Sequence, residues 1–251
     1  MFIEARLNVD KLIYSENPPK KFNKKECDKL FDDGWMDMEV PLPPKNSSRT
    51  TIQELNEIID RREMLSDFDK MVYINTDDST TYYIREFLDG QDLEYNPKDI
   101  EKITFAAKHI GRYYKNKFNR PRPHQVAEAL GMDKFSYEKY ETTGSPSYPS
   151  NHALQARMVA HYYGEKYPAQ KKHLLKAADM SAEGRINAGV HYPSDKFIAY
   201  EIADNLVEFF KMDELTEDAP MNATGVSTAT DTSVGHIRKK KKKNDPLLKR
   251  F

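Results

Sequence analysis

The chain is 251 residues long, with 38% hydrophobic residues, 31% charged residues and a net charge of −1. A chain of this length buries a sizeable core as one large or two small domains, without covalent cross-links. Its single cysteine, Cys27, excludes an internal disulfide, and the lack of a His/Cys cluster at ligand spacing argues against a structural zinc site.

The charge is distributed unevenly along the chain. Residues 238–250 hold eight of the 39 Lys and Arg and one of the 40 Asp and Glu, so the rest of the chain carries −8. An acidic body repels polyanions, which makes the main domain a poor candidate for nucleic-acid binding. The basic tail, with RKKKKK at 238–243, is expected either to contact an anionic partner (nucleic acid, a membrane surface or an acidic protein patch) or to be a solvated segment that aids solubility.

The amino-terminal residues do not resemble a targeting segment. Residues 1–21 contain Glu4 and Asp10 and lack the basic start, apolar run and small-residue cleavage site of a secretion signal. No window approaches the roughly 18 apolar residues that a membrane-spanning helix requires. We therefore expect a cytoplasmic protein without a transmembrane segment. The sequence leaves a viral or phage origin and a homo-oligomeric state open.

The first predicted elements follow a proline-rich stretch. Residues 40–48, VPLPPKNSS, are typical of a stiff connector. Residues 50–65 repeat apolar side chains at helical spacing, and Thr51 with Glu54 has the form of a capping box at the start of this helix. Residues 70–77, KMVYINTD, look strand-like.

Helical periodicity dominates from there on. Residues 80–88 fit either a strand or a helix. Asn96 followed by Pro97 predicts a helix start, and the apolar face continues to Tyr114 within the segment 96–118. Three more helices are predicted at 152–163, 169–189 and 194–212.

These elements suggest three parts. Residues 1–45 are expected to form an N-terminal extension that wraps the body, or a small appendage, and residues 46–213 a main domain in which helical periodicity dominates. From about Thr216 onward the chain is small, polar and nearly free of large apolar residues, which is typical of a disordered tail. Residues 214–251 are therefore expected to form a flexible tail that carries the polybasic run.

Three separate segments carry groups suited to an anionic substrate. In KNKFNRPRP, at 115–123, six residues separate Lys115 from Arg122. Taken alone, a Lys/Arg pair near a helix end or a lone histidine is usually solvated or structural, so the combination carries the argument. The other two segments supply Ser150, Asn151 and His152, and then Arg185, His191 and Asp195.

Phosphoryl transfer needs such a set of groups. Charge spread over three equatorial oxygens must be met by fixed cationic donors, with a nucleophile in line and an acid for the departing oxygen. We expect Lys115, Arg122 and Arg185 to surround the phosphoryl oxygens. The Ser150 hydroxyl and the Asn151 backbone N–H add donors at a helix start, where the helix dipole favours negative charge.

The two histidines need opposite protonation states. Asp195, one helical turn after His191, can accept a proton from one ring nitrogen of His191 and leave the other as a lone pair for attack on phosphorus. His191 is therefore the expected nucleophile. His152 has no carboxylate in sequence reach and a phosphate nearby, so we expect it to protonate the leaving group and then to activate water.

The order and both internal spacings of these motifs closely resemble the signature of the type 2 phosphatidic acid phosphatase superfamily. That superfamily includes the bacterial class A acid phosphatases and the vanadium haloperoxidases, and the resemblance covers residues 100–210. It implies an all-α helical bundle of the acid phosphatase/haloperoxidase type, with the three segments meeting at one end. It also implies an enzyme that needs no metal or other cofactor, with vanadate acting as a transition-state mimic.

Two positions depart from the family pattern. Asn151 stands where the family has glycine; asparagine tolerates a tight backbone, but its side chain narrows the site. Gly184 stands where the family has serine, which removes one hydroxyl donor and is expected to lower activity or shift specificity.

Three functions are weighed on this basis. The favoured one is a metal-independent phosphatase that hydrolyses small phosphomonoesters through a phosphohistidine. The alternatives are a vanadate-dependent haloperoxidase, and a scaffold or virion-type interaction protein with a relic phosphatase pocket.

Neighbouring residues are given smaller roles. Tyr148 and Tyr192 are candidates for lining the cleft. Lys117 and Arg120 are interpreted as rim charges that steer phosphate inward.

Overall fold

The computed structural model describes residues 9–216, and within them the chain forms α-helices joined by short loops and 3-10 turns, without a β-strand. The predicted all-α fold is confirmed. In chain order the helices are α1 (Lys24–Asp28), α2 (Arg49–Glu63), α3 (Asp67–Asp78), α4 (Tyr82–Gly90), α5 (Pro97–Phe118), α6 (Pro123–Ala129), α7 (Asn151–Lys166), α8 (Lys171–Asn187), α9 (Pro193–Leu206) and α10 (Asp213–Thr216).

The strand-like interpretation of residues 70–77 is wrong, because they lie inside α3. Ser66 and Asp69 form a reciprocal capping box that starts this helix. Val72 and Thr76, four residues apart, are both buried, which is the spacing of a helix face. Residues 80–88 take the helical alternative, as α4.

Of two predicted helix N-caps, one is confirmed and the other is wrong. Asn96 caps α5 as expected, since its side chain accepts a hydrogen bond from the Lys98 N–H and Pro97 occupies the first turn. The capping box at Thr51 is wrong. Ser48 caps α2 instead and accepts from the Thr51 N–H at 3.2 Å, while the Thr51 hydroxyl donates to the Lys45 carbonyl at 2.8 Å.

Helix α7 is the centre of the bundle. It packs against α5, α8 and α9, and α8 packs in turn against α3 and α4. A helix on a protein surface has one apolar face, whereas α7 is buried on nearly every side. The cluster around it includes Ile103, Ile110, Leu154, Val159, Leu174 and Ile202.

Residues before 45 contribute to the same core. Cys27, Phe31 and Trp35 are fully buried in the central cluster, and α1 packs on α5. Burial raises the pKa of the Cys27 thiol to about 12, which keeps it protonated at neutral pH. The domain boundaries at 45 and 213 stay predictions, and the polybasic run at 238–243 lies outside the described residues.

Helix length and hydropathy bear on membrane insertion. Among residues 9–216, no helix combines the length and the apolar character needed to cross a membrane.

Gly184 allows α8 to approach α3 closely. A Cβ atom at Gly184 would lie 2.6 Å from Thr76 Oγ1 and 3.2 Å from the Tyr73 Cα atom. Backbone cannot yield as a flexible side chain can, so a serine at this position would force the two helices apart. The glycine in place of the family's serine is therefore matched to the packing of α3.

We predict that Gly184→Ala destabilises the protein by about 1–3 kcal/mol, the usual cost of overpacking. Helix propensity alone predicts the reverse, a gain of about 1 kcal/mol. Urea unfolding measures the difference. The cost should be smaller in a Thr76→Ala background, where the nearest clashing atom is gone. A Gly184→Ala protein as stable as the parent would contradict the packing argument.

Candidate active site

The three predicted segments meet at one end of the helical bundle, around a cavity of about 740 Å³. Lys115 lies in the last turn of α5, Arg122 directly precedes α6, and His191 lies in the loop between α8 and α9. Lys115, Arg122, Asn151, His152 and His191 line the cavity, whereas Ser150, Arg185 and Asp195 are buried beside it without lining it.

His191 is fixed in one tautomer by two contacts. Its Nδ1 lies 2.9 Å from Asp195 Oδ2, and a carboxylate can only accept, so Nδ1 carries the proton. Its Nε2 lies 3.0 Å from an Arg122 guanidinium nitrogen, which can only donate, so Nε2 holds a lone pair. Burial and Arg122 lower the pKa of His191 well below its usual value, despite the opposing effect of Asp195. The imidazole is therefore neutral and directs a basic nitrogen at the cavity.

Asp195 owes its ionised state to Arg120. Burial would raise the pKa of Asp195, but Arg120 and the hydrogen bond from His191 outweigh burial and hold that pKa well below its usual value. Arg120 donates to Asp195 Oδ1 at 2.8 Å and to Glu54 Oε2 at 3.2 Å. The other Asp195 oxygen also accepts from the Tyr192 N–H at 3.0 Å, so the carboxylate is held from three directions.

The interpretation of Arg120 as a rim charge is wrong. Arg120 is only 2% exposed, and its guanidinium lies 3.7 Å from the centre of the Tyr192 ring. Tyr148 and Tyr192 do not line the cavity either: Tyr192 is covered by Arg120, and the Tyr148 hydroxyl donates to the Pro41 carbonyl at 2.9 Å. The sequence signal for Arg120 is its place as the first arginine of NRPRP, two residues before Arg122.

Lys115 and Arg122 are satisfied by backbone carbonyls and not by carboxylates. The Lys115 ammonium donates to the carbonyls of Pro146 and Ser147. Arg122 donates to the carbonyls of Ser145 and Val190, each at 2.8 Å. Burial and then Arg185 lower the pKa of Arg122 to about 10, and burial and then Arg122 lower that of Lys115 well below its usual value. Both changes would be reversed by an anion in the cavity.

Arg185 is held by partners of its own. It donates to Asp77 Oδ1 at 2.6 Å and to the Thr142 hydroxyl at 2.9 Å, and its Nε is buried without an acceptor. Asp77 and Thr142 both line the cavity, so Arg185 lies just behind its wall. The structure thus brings two of the three expected cations to the cavity surface and places the third one layer deeper.

The start of α7 carries Ser150 and His152, of which only His152 lines the cavity. Ser150 caps the helix by accepting from the Ala153 N–H at 3.4 Å. His152 lines the cavity, and burial, followed by Arg185 and His191, lowers its pKa well below the usual value. His152 is thus neutral, and its cationic form would require an anion beside it.

Asn151 fits because of a glycine on the neighbouring helix. A Cβ at Gly111 of α5 would lie 1.8 Å from Asn151 Oδ1, so the amide occupies space that only glycine leaves free. Asn151 Oδ1 is buried without a hydrogen-bond donor. The asparagine in place of the family's glycine is therefore accommodated against α5.

Within residues 9–216, no three His, Cys, Asp or Glu side chains are grouped so that they could hold a metal ion. The cavity is lined by the cations Lys115 and Arg122, which suit an anion, and also by carboxylates: Asp77, Asp78, Glu101 and Glu141.

Comparison with known proteins agrees with this geometry. A family model described as PAP2 superfamily matches residues 103–203, which include every residue from Lys115 to Asp195 discussed above. No curated protein matches the chain. PAP2 superfamily proteins are phosphatases and phosphoesterases, so the match indicates activity of this general kind. The match over residues 103–203 is consistent with a member of the PAP2 superfamily, the type 2 phosphatidic acid phosphatases.

Proposed function

We propose that the protein is a metal-independent phosphatase that hydrolyses phosphomonoesters through a phosphohistidine intermediate on His191. The observation that carries the proposal is the tautomer of His191, with Nδ1 bonded to Asp195 at 2.9 Å and Nε2 directed at the cavity. One site then holds the three parts that this chemistry requires: a nucleophile, a base that orients it and an anion-binding wall.

The first half of the reaction forms the phosphohistidine. The phosphoryl oxygens accept hydrogen bonds from Lys115, Arg122 and the N-terminus of α7. When Arg122 donates to them, the Nε2 lone pair of His191 is released and attacks phosphorus. The bond from phosphorus to the ester oxygen breaks, and His152 gives its proton to that oxygen. Asp195 stabilises the positive charge that develops on His191.

The second half releases phosphate. His152, now neutral, takes a proton from a water molecule that attacks phosphorus on the intermediate. The bond between phosphorus and His191 Nε2 breaks, and the electron pair returns to the imidazole. Phosphate leaves, and His152 is protonated again for the next cycle.

Two alternatives use the same pocket. A relic pocket would have little reason to keep Lys115 and Arg122 buried without carboxylate partners, because uncompensated buried charge is costly. A haloperoxidase would bind vanadate in place of the phosphoryl group. Bromide oxidation by the vanadate-loaded protein with peroxide tests that alternative directly.

We predict that His191→Ala abolishes turnover of an aryl phosphate. His152→Ala should instead accumulate a phosphorylated protein with a good leaving group, detected by intact mass, because attack survives and water activation is lost. His161→Ala is the matched control: this residue lies on the same helix as His152 and pairs with Asp204 at 2.6 Å, so its activity should stay within about twofold. All assays include chelator. Full activity of His191→Ala, or loss of wild-type activity in chelator, would contradict the mechanism.

We predict that Arg120→Met lowers kcat by about 10- to 100-fold, the usual effect of losing a partner that orients a reacting group. KM should change little, because Arg120 does not line the cavity. The acid limb of the kcat/KM profile should move to higher pH, since Arg120 no longer offsets the effect of Asp195 on the His191 pKa. Arg120→Lys should restore part of kcat. An unshifted acid limb would contradict this positioning role.

We predict that anion binding is accompanied by proton uptake. Burial and the neighbouring cations lower the pKa of His152, and a bound anion raises it, so affinity must increase as pH falls. Calorimetry of sulfate binding near neutral pH, in buffers of different ionisation enthalpy, measures the protons taken up. His152→Ala should remove this uptake, whereas unchanged uptake in that variant would assign the proton to another group.

A further inference from the structure

The cavity extends well beyond the phosphoryl-binding end. One wall is formed by α5, whose side chains line the cavity at helical spacing from Pro97 to Lys115. Arg112 and Lys108 follow Lys115 along this wall, about 4.5 and 10 Å away along the helix axis at a rise of 1.5 Å per residue. Lys20, from the N-terminal segment, lines the same part of the cavity.

The backbone around Lys20 is held on α5 by two hydrogen bonds. Asn116 Nδ2 donates to the Lys20 carbonyl at 3.1 Å, and Arg112 donates to the Lys21 carbonyl at 3.4 Å. A segment far away in the sequence is thus placed so that its lysine faces the same space as Lys108. We call Lys20, Lys108 and Arg112 the basic wall.

The cations of the basic wall repel one another and lack carboxylate partners. Burial and Arg112 lower the pKa of Lys108, and burial, Arg112 and Lys108 lower that of Lys20. None of the three forms an ion pair among the described residues, and Arg112 Nε is buried without an acceptor. Three like charges without a counterion are a favourable site for an anion.

The carboxylates of the cavity do not neutralise this wall. Asp77 is bonded to Arg185 at 2.6 Å. Glu101 lies on α5 seven residues before Lys108, about 10 Å along the axis, and the two remaining carboxylates, Asp78 and Glu141, make no ion pair with the wall.

We propose that the basic wall is a second anion subsite, and that the substrate is an organic phosphate with a second phosphate group several ångströms from the scissile one. The assignment of the scissile end rests on the proposed function. A substrate with a single phosphate group would leave the wall without a ligand, whereas a bisphosphate would place one phosphate beside Arg122 and His191 and the other between Lys108 and Lys20. The wall then selects substrates without taking part in the chemistry.

Equilibrium binding of phosphonates, which are not hydrolysed, tests the subsite. Calorimetry at constant ionic strength compares methylphosphonate with methylenediphosphonate and propane-1,3-diphosphonate on the full chain. We expect at least one diphosphonate to bind tenfold or more tightly than methylphosphonate. Lys108→Gln and Lys20→Gln should each remove most of that gain and leave methylphosphonate affinity within twofold. Lys98→Gln, on the same helix with a side chain outside the cavity, is the matched control and should change neither.

Two results would overturn the subsite. The first is equal affinity of the parent protein for mono- and diphosphonates. The second is an equal loss of affinity for both ligands in Lys108→Gln, because such a loss indicates long-range attraction and not a subsite. Aryl phosphate turnover measured in parallel separates this inference from the proposed function. Normal turnover without a diphosphonate preference rejects the subsite alone. A preference removed by Lys108→Gln, without turnover, rejects the phosphatase and retains the anion site.

Discussion

The rest of the site depends on the contacts that the buried Asp195 carboxylate makes with Arg120 and His191. The carboxylate is fully buried and accepts hydrogen bonds from His191, the Tyr192 N–H and Arg120. A lone carboxylate at this depth would be protonated or would destabilise the fold. Because Arg120 keeps it ionised, His191 has one tautomer and one orientation. Glu54 of α2 extends the same network by bonding Arg120 and the Ser194 N–H, so α2 supports a site that it does not line.

The cavity has the opposite electrostatic character. Its buried cations are neutralised within the protein only in part, since Lys115 and Arg122 bond to carbonyls. Burial first, and then the neighbouring cations, lower the pKa of His152 and of His191 and keep both imidazoles neutral. An incoming phosphate would therefore change several protonation equilibria together, which couples binding to the chemistry that follows.

Sequence patterns predicted the helices and the site residues better than they predicted how helices pack. The motif spacing identified His152 and His191, which line one cavity, because chemistry restricts which residue types serve and where. Periodicity predicted the wrong element at 70–77, because a short segment of β-branched and aromatic residues fits both a strand and a helix. The capping box before this segment favours the helix. The depth of Arg120 could not be predicted, since two arginines in NRPRP look alike until the turn after α5 directs one inward. Gly184 allows α8 to approach α3, and Gly111 leaves space on α5 for Asn151 of α7. No local sequence pattern encodes either of these helix contacts.

The fit between Asn151 and Gly111 couples two positions that are far apart in the chain. The amide occupies a notch in the neighbouring helix, where a methyl group would overlap its oxygen. Any side chain at residue 111 would displace the amide, and the cavity is the open space beside it. Position 111 is therefore an indirect control on the width of the cavity beside Asn151, and the two residues would have to be exchanged together to reshape it without loss of the helix contact.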